Sequence, residues 1–274
     1  MSASGPVFFD SAMRPYEPVG AVSCSALGSE CLLYEAMGAV GLEREGRALF
    51  EHLRETVGPQ GTVWGASLDR ASGALSWELA FARERGGMTP ARLTERVAPW
   101  LTIDAVEPYP LPWRMFSAAF GEEELRGRRP VGLTLWVDGA GHSYELKGSE
   151  LTLAGTYRFL ELLPEVDEVL RLLAHSVHMD RSVVRLSELI PPELLRVHNL
   201  GIATRRTCDA LYFSRLDAAQ FAYFLESHSW PAHLRDFFLR HREALGHLRW
   251  DVGFDFSVRD GHLEIRRSFL HGVT

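Results

Sequence analysis

The sequence predicts an α/β protein in which repeated β-hairpins build one antiparallel sheet, curled or closed into a barrel and ringed by helices. Three observations predict it. Segments 61–84, 130–147, 199–216 and 248–269 alternate apolar and polar residues around turn signals, the period of strands. Between them the apolar spacing changes to three and four, the period of helices. Each hairpin carries one apolar face, which the helices can cover, and one polar face that must meet water or a cavity.

Residues 1–28 are rich in Ser, Gly and Pro without a clear period and read as an irregular arm, leaving 29–274 as a single hairpin–helix domain. From 29 to 57, Leu32, Ala36, Val40, Leu49 and Leu53 recur at helical spacing until Gly58-Pro59 stops the run. In the first hairpin Leu75, Trp77, Leu79 and Phe81 oppose Ser76, Glu78 and Ala80 across the strand. Thr89-Pro90 opens a helix, with Thr as N-cap and Pro in the first turn. The three prolines of AVEPYPLPWRMF, 105–116, exclude a regular helix there. In the second hairpin Thr134, Trp136, Glu145 and Lys147 fall on the non-apolar faces. Residues 150–178 read as helical with a break near Pro164, and Pro191-Pro192 marks a joint. After the third hairpin Asp217 caps the first of two helices, about 218–227 and 231–245.

The last hairpin, LRWDVGFDFSVRDGHLEIRRSF, is the plainest. Trp250, Val252, Phe254, Phe256 and Val258 share one face, Asp260-Gly261 makes the turn, and the return run alternates too. Its other face carries Arg249, Asp251, Asp255, Glu264, Arg266 and Ser268. Closing the sheet removes its exposed edges and turns these residues, with Glu78, Thr134, Trp136, Glu145 and Lys147, into a charged lumen. An open sheet with helices on one face and the same residues solvated satisfies the pattern as well.

Composition narrows the class. The 274 residues are 46% hydrophobic and 24% charged, ordinary for a soluble globular chain large enough to need no staple. A net charge of −7 argues against a nucleic-acid partner. No apolar run reaches the roughly 18 residues of a membrane span, and the N-terminus has no basic leader before an apolar core. Cys24, Cys31 and Cys208 are odd in number and lack metal spacing, which reads as free thiols in a reducing compartment, the cytoplasm. His175, His178 and Asp180 can share a helix face, yet no HExxH pattern accompanies them, and no metal is expected.

Two patches resemble a known family: Ala71-Ser72-Gly73 with Ser76-Trp77-Glu78-Leu79-Ala80-Phe81, and Asp209-Ala210-Leu211-Tyr212-Phe213-Ser214-Arg215-Leu216. With the hairpin–helix order, which spans nearly the whole chain, they are similar to the aromatic prenyltransferases of the ABBA-barrel (PT-barrel) type. The resemblance implies a ten-stranded antiparallel barrel. Only eight strands are legible, so the N-terminal arm supplies the missing pair or the barrel is smaller or open. It also implies transfer of an allylic group from its diphosphate to an aromatic acceptor, either a small molecule or an indole or phenol side chain of a peptide. In magnesium-dependent relatives a carboxylate follows the Glu of the first patch by two positions; here Ala80 stands there, which implies a metal-independent member with no cofactor.

Such chemistry needs Arg, Lys or Tyr donors for diphosphate, aromatic faces for the allylic cation and a carboxylate to take a proton. Lys147, Arg205 or Arg206, Arg249 and Arg266 are the candidate diphosphate donors. Trp64, Trp136 and Tyr212 are the candidate shields, and Glu78 is the candidate base. Each has a plainer reading, as cross-strand ion pairs for the charges and core packing for the tryptophans. A non-catalytic ligand-binding or protein-interaction protein with the same architecture is the alternative, and a cyclase or isomerase using the same cavity is a third reading.

Overall fold

The structure, a computed structural model, describes residues 7–19, 22, 25–107, 111–137, 141–180 and 182–274. In chain order it runs through β1 (Phe8–Phe9), β2 (Pro15–Tyr16), α1 (Glu30–Gly38), α2 (Glu43–Val57), β3 (Val63–Asp69), β4 (Leu75–Ala82), α3 (Pro90–Val97), β5 (Trp113–Phe120), α4 (Glu122–Leu125), β6 (Leu133–Val137), β7 (His142–Lys147) and β8 (Glu150–Leu160). It continues with α5 (Val166–Ala174), α6 (Leu186–Leu189), a 3-10 turn at Pro192–Leu194, β9 (Leu200–Arg205), β10 (Asp209–Leu216), α7 (Ala218–Ser227), α8 (Ala232–Arg240), α9 (Arg242–Leu245), β11 (Trp250–Arg259) and β12 (His262–Val273). Strands β3 to β12 form a closed barrel in which each strand is antiparallel to its neighbours in sequence and β12 closes onto β3. The barrel therefore has ten strands, and the open sheet is excluded.

The two strands that periodicity misses are β5 and β8, and neither comes from the N-terminal arm, whose β1 and β2 pair only with each other. β5 begins at Trp113, just after the prolines, so the helix-breaking signal belongs to the connection and not to the strand. β8 occupies Glu150–Leu160, where a helix is expected; the helix α5 starts only at Val166, beyond Pro164. Thr152, Thr156, Tyr157 and Phe159 favour extended backbone, but Leu153 and Phe159 remain more than half exposed, so no apolar face announces the strand.

Elsewhere local chemistry sets the boundaries as the sequence predicts. The Thr89 hydroxyl accepts from the Arg92 amide at 3.2 Å, with Pro90 in the first turn of α3. Asp217 accepts from the Ala219 and Gln220 amides at 2.8 and 2.9 Å, and Gln220 returns a bond to the Asp217 amide at 3.1 Å, a reciprocal cap for α7. The helices cover the outer barrel face. Trp77, Leu79 and Phe81 of β4 and Trp250, Val252, Phe254 and Phe256 of β11 are buried there with Leu33, Phe50, Leu53, Phe221, Phe224 and Phe238. The Trp250 ring stacks on Phe221 at 4.4 Å and meets Phe238 edge-on at 5.9 Å.

His228 belongs to this outer layer, between the rings of Phe224 at 4.2 Å and Phe254 at 4.8 Å. Burial, with the Arg70 charge behind it, pushes the imidazole down to about 3. Below the ordinary histidine value the unfolded chain takes up a proton that the folded chain refuses. Stability is thus fully present above about pH 6.5 and is lost as pH falls toward 3, by up to ~1.4 kcal/mol per pH unit from this group. Urea midpoints at about pH 7 and about pH 4.5 are expected to diverge more in the parent than in a His228→Gln variant; equal divergence would remove His228 from the acid response.

One end of the barrel, where β3 begins and β12 finishes, is filled by the arm. Phe9 and Met13 pack on Val63, Ala80, Ala82, Met115 and Val273, all on the lumenal face. Polar contacts clasp the plug: Asp10 accepts from Arg215 at 3.0 Å and pairs with Arg14 at 3.3 Å, and the Asp251 carboxylate takes the amides of Ser11 and Arg215. The opposite end carries the β3–β4, β9–β10 and β11–β12 turns.

Candidate functional site

Pairing register decides which side chains face the lumen, because residues directly opposite on neighbouring strands share a face. Asp255 pairs with Arg267, but Phe256 pairs with Ile265, so Arg266 is an extra residue in a β-bulge. The bulge reverses the phase of β12. Arg267, Phe269 and His271 turn inward, while Arg266 and Ser268, expected inside, do not. Arg266 donates to the Thr207 carbonyl at 3.1 Å on the β9–β10 turn, and Ser268 is buried opposite Phe254 on the helix side.

The centre of the lumen is a cluster around Asp255, which is 4% exposed. One carboxylate oxygen accepts from Arg205 at 2.6 Å; the other accepts from Arg267 Nε and Nη2 at 3.1 and 2.9 Å. The same Arg205 guanidinium donates to the hydroxyls of Tyr212 and Tyr157, the latter at 3.4 Å. Burial works against the Arg205 charge, but Tyr212, Tyr157 and Asp255 hold its pKa well above the usual arginine value. Burial also pushes the Tyr212 phenol well up, with Arg205 only partly opposing. Tyr212 is therefore a neutral phenol at neutral pH. Its oxygen accepts from Arg205, which leaves its own O–H free to donate. Two guanidiniums on one carboxylate leave a positive excess, and Arg267 keeps part of its fork uncommitted with 44% of its side chain exposed.

Aromatic faces border this cluster. Phe269 stacks on Tyr212 at 5.0 Å, Tyr157 lies 6.1 Å from Tyr212, and Trp136 meets Tyr157 edge-on at 6.5 Å. Phe269 and Tyr212 sit on strands either side of β11 and meet over Gly253, where a Cβ would lie 2.5 Å from the Phe269 ring.

Closer to the plugged end, Glu78 of β4 and His271 of β12 approach to 3.3 Å between Oε2 and Nε2. Burial pushes the Glu78 carboxyl up, but the hydrogen bond and charge of His271, with Ser117 and Arg267 behind them, outweigh it and hold the group below its usual range. The site thus offers guanidinium and phenol donors for an anion, aromatic faces for an apolar or cationic group, and an ionised carboxylate between these and an apolar floor.

The sequence candidates divide accordingly. Arg205, Tyr212, Trp136 and Glu78 line the lumen and stand near one another. Trp64 does not: its side chain is fully buried among the helices, and its Nε1 donates to the Ser29 hydroxyl at 2.9 Å. Arg249 lies at the plugged end, where its amide donates to the Tyr16 hydroxyl at 3.1 Å; six residues of strand put it ~20 Å from Asp255. Lys147 is exposed at the end of β7, paired with Glu150 across the turn. Arg206 is exposed in the β9–β10 turn. Arg267, Tyr157, Phe269 and His271 were not among the candidates. Strict alternation puts Arg267 on the wrong face, β8 reads as a helix, and His271 falls beyond the expected hairpin. An unbroken period of two continued through Val273 puts His271 on the same wrong face as Arg267, so only the bulge reveals it.

Other constellations resolve into structure. His175 Nδ1 and His178 Nε2 bond to the carbonyls of Arg171 and Arg205 at 2.6 and 2.9 Å, and no group of three His, Cys, Asp or Glu with metal geometry occurs among the described residues. Cys31 and Cys208 are free thiols, and Cys24 lies outside the described residues. Among the described residues no helix is long and apolar enough to cross a membrane. Two surface clefts, about 360 Å³ beside Arg83 and Trp113 and about 530 Å³ beside Leu163 and His198, lie outside the barrel and include none of the lumenal cluster. No protein-family model and no curated protein matches the chain.

Proposed function

We propose that the protein moves an allylic group from its diphosphate to an electron-rich aromatic acceptor, a small molecule or the indole or phenol side chain of a peptide, inside the barrel. The observation that carries this reading is the convergence of Arg205, Arg267, Tyr157 and Tyr212 on one spot of the lumen wall, with Glu78 on the same inner surface. Guanidinium forks and phenol O–H groups suit the oxygens of a diphosphate. As the allylic C–O bond breaks, its electron pair leaves on the diphosphate, and the faces of Tyr212, Phe269 and Trp136 favour the positive charge left on carbon. The acceptor forms the new bond and gives up a proton to Glu78, whose lowered pKa keeps it ionised.

The Ala80 departure makes the reaction metal-independent on this reading, with no cofactor, and free Cys31 and Cys208 suit a reducing, cytoplasmic setting. The alternative is a non-catalytic binding protein, and Asp255 favours it by engaging both guanidiniums. Incubation with dimethylallyl or geranyl diphosphate and a panel of indoles, phenols and Trp- or Tyr-containing peptides separates the two. A mass increase of one allylic unit on an acceptor, undiminished by a chelator, is the expected result. Calorimetric binding of the diphosphate with no product identifies a binding protein; product that disappears with chelator overturns metal independence.

A further inference from the structure

We infer that Glu78 and His271 form one proton-handling pair, assembled across a gap left by Gly65, and that Gly65 and His271 are positioning residues for the Glu78 carboxyl. The register makes the pair. His271 lies opposite Gly65, and Gly65 lies opposite Glu78, so the three occupy one row across β12, β3 and β4. Side chains two strands apart are separated by about twice the 4.7–4.9 Å strand spacing and do not normally meet. Here the middle residue has no side chain, and the outer two lean over it to a 3.3 Å contact. A Cβ at position 65 would sit 2.8 Å from His271 Cδ2 and 3.1 Å from both His271 Nε2 and Glu78 Cβ, inside the space the pair needs. The hydrogen bond to an ionised carboxylate places the ring proton on Nε2. With one oxygen held by His271 and Ser117 beside it, the carboxylate is fixed in direction for accepting a proton.

The pair is set apart from its surroundings. Asp251 of β11 lies opposite His271 but is committed to the Ser11 and Arg215 amides. Arg267 of β12 is committed to Asp255, Tyr212 of β10 to Arg205, and Ser117 of β5 lies beside Glu78. His271 holds the carboxylate by a direct side-chain hydrogen bond and is the largest of the groups that oppose its burial, with Ser117 a smaller one, and its side chain is only 15% exposed. This role deepens the reading of Glu78 as the proton acceptor and rests on it for its catalytic meaning.

The test follows the Glu78 carboxyl carbon by NMR across a pH titration of the full chain, in the parent, in His271→Asn and in Gly65→Ala. The expected result is an upward shift of the Glu78 midpoint in both variants, because removing the ring or pushing it aside takes away the largest contributions that oppose burial. The acid limb of transfer should move up with it in His271→Asn. An unmoved midpoint in His271→Asn overturns the pair. Should Gly65→Ala fail to fold, as judged by its thermal transition, the His271→Asn midpoint alone decides. A parent protein that shows the carboxyl shift yet transfers no allylic group overturns the proposed reaction and leaves the pair standing.

Discussion

Glu78→Gln is expected to lower allylic transfer by about 10²–10⁴-fold, the range over which a positioned general base contributes. The substitution is nearly isosteric, and the amide oxygen still accepts from His271 Nε2, so the wall of the barrel keeps its shape. What disappears is the proton acceptor. Glu78 stands beside the apolar floor made by Met13, Phe9, Ala80 and Val273, with 27% of its side chain exposed. The check is product formation per unit time beside the circular-dichroism spectrum and melting temperature of the same preparation. Undiminished product in a folded variant would remove Glu78 from the chemistry, and loss of both product and fold would make it a structural residue.

Asp255→Ala is expected to cost about 3–5 kcal/mol of stability, the range found when one partner of a buried ion pair is deleted. The carboxylate is 4% exposed and engages Arg205 and Arg267 through separate oxygens. Without it, two guanidiniums stand close together on one stretch of the wall with no counter-charge between them. Arg267 can swing toward solvent, as its exposure allows, but Arg205 is held between Tyr157 and Tyr212 and must stay. Denaturant midpoints measure the loss. A cost below about 1 kcal/mol would mean that the cluster relaxes freely and that Asp255 serves only to occupy the donors. Addition of inorganic diphosphate offers a second readout: if the lumen binds it, the variant should recover part of its lost midpoint, since an anion that binds only the folded state stabilises it.

Much of the architecture is legible in the residues themselves. The alternation of β11, with Trp250 to Phe256 on one side and Asp251 and Asp255 on the other, reports a strand with one apolar and one polar face wherever it is read, because side chains leave a strand on opposite sides in turn. Thr89-Pro90 and Asp217…Gln220 announce helix starts for an equally local reason: the cap satisfies amides within three residues of itself. Glu78 and Trp136 were recognisable as lumenal because they fall opposite the apolar face of their own strands, whereas Arg205 and Tyr212 were picked for their chemistry and only pairing puts them on that face.

The rest depended on partners distant in sequence. β8 is a strand because β7 and β9 flank it with unpaired ladders, and with Leu153 and Phe159 more than half exposed it has no apolar face to show that. Trp64 is in phase with the apolar Ala66 and Leu68, and its pairing with Leu79 and the docking of Ser29 set it against the helices. The bulge at Arg266 exchanges the faces of everything after it, since one extra residue shifts a period of two by half. By itself the sequence determined an antiparallel, helix-covered sheet with a charged second face, because strand and helix periods are local properties of the chain. Tertiary structure alone decided that this face is the inside of a ten-stranded barrel plugged by the arm, and that Arg267 and His271 complete its cluster, because register and closure are set by pairing between segments up to some two hundred residues apart.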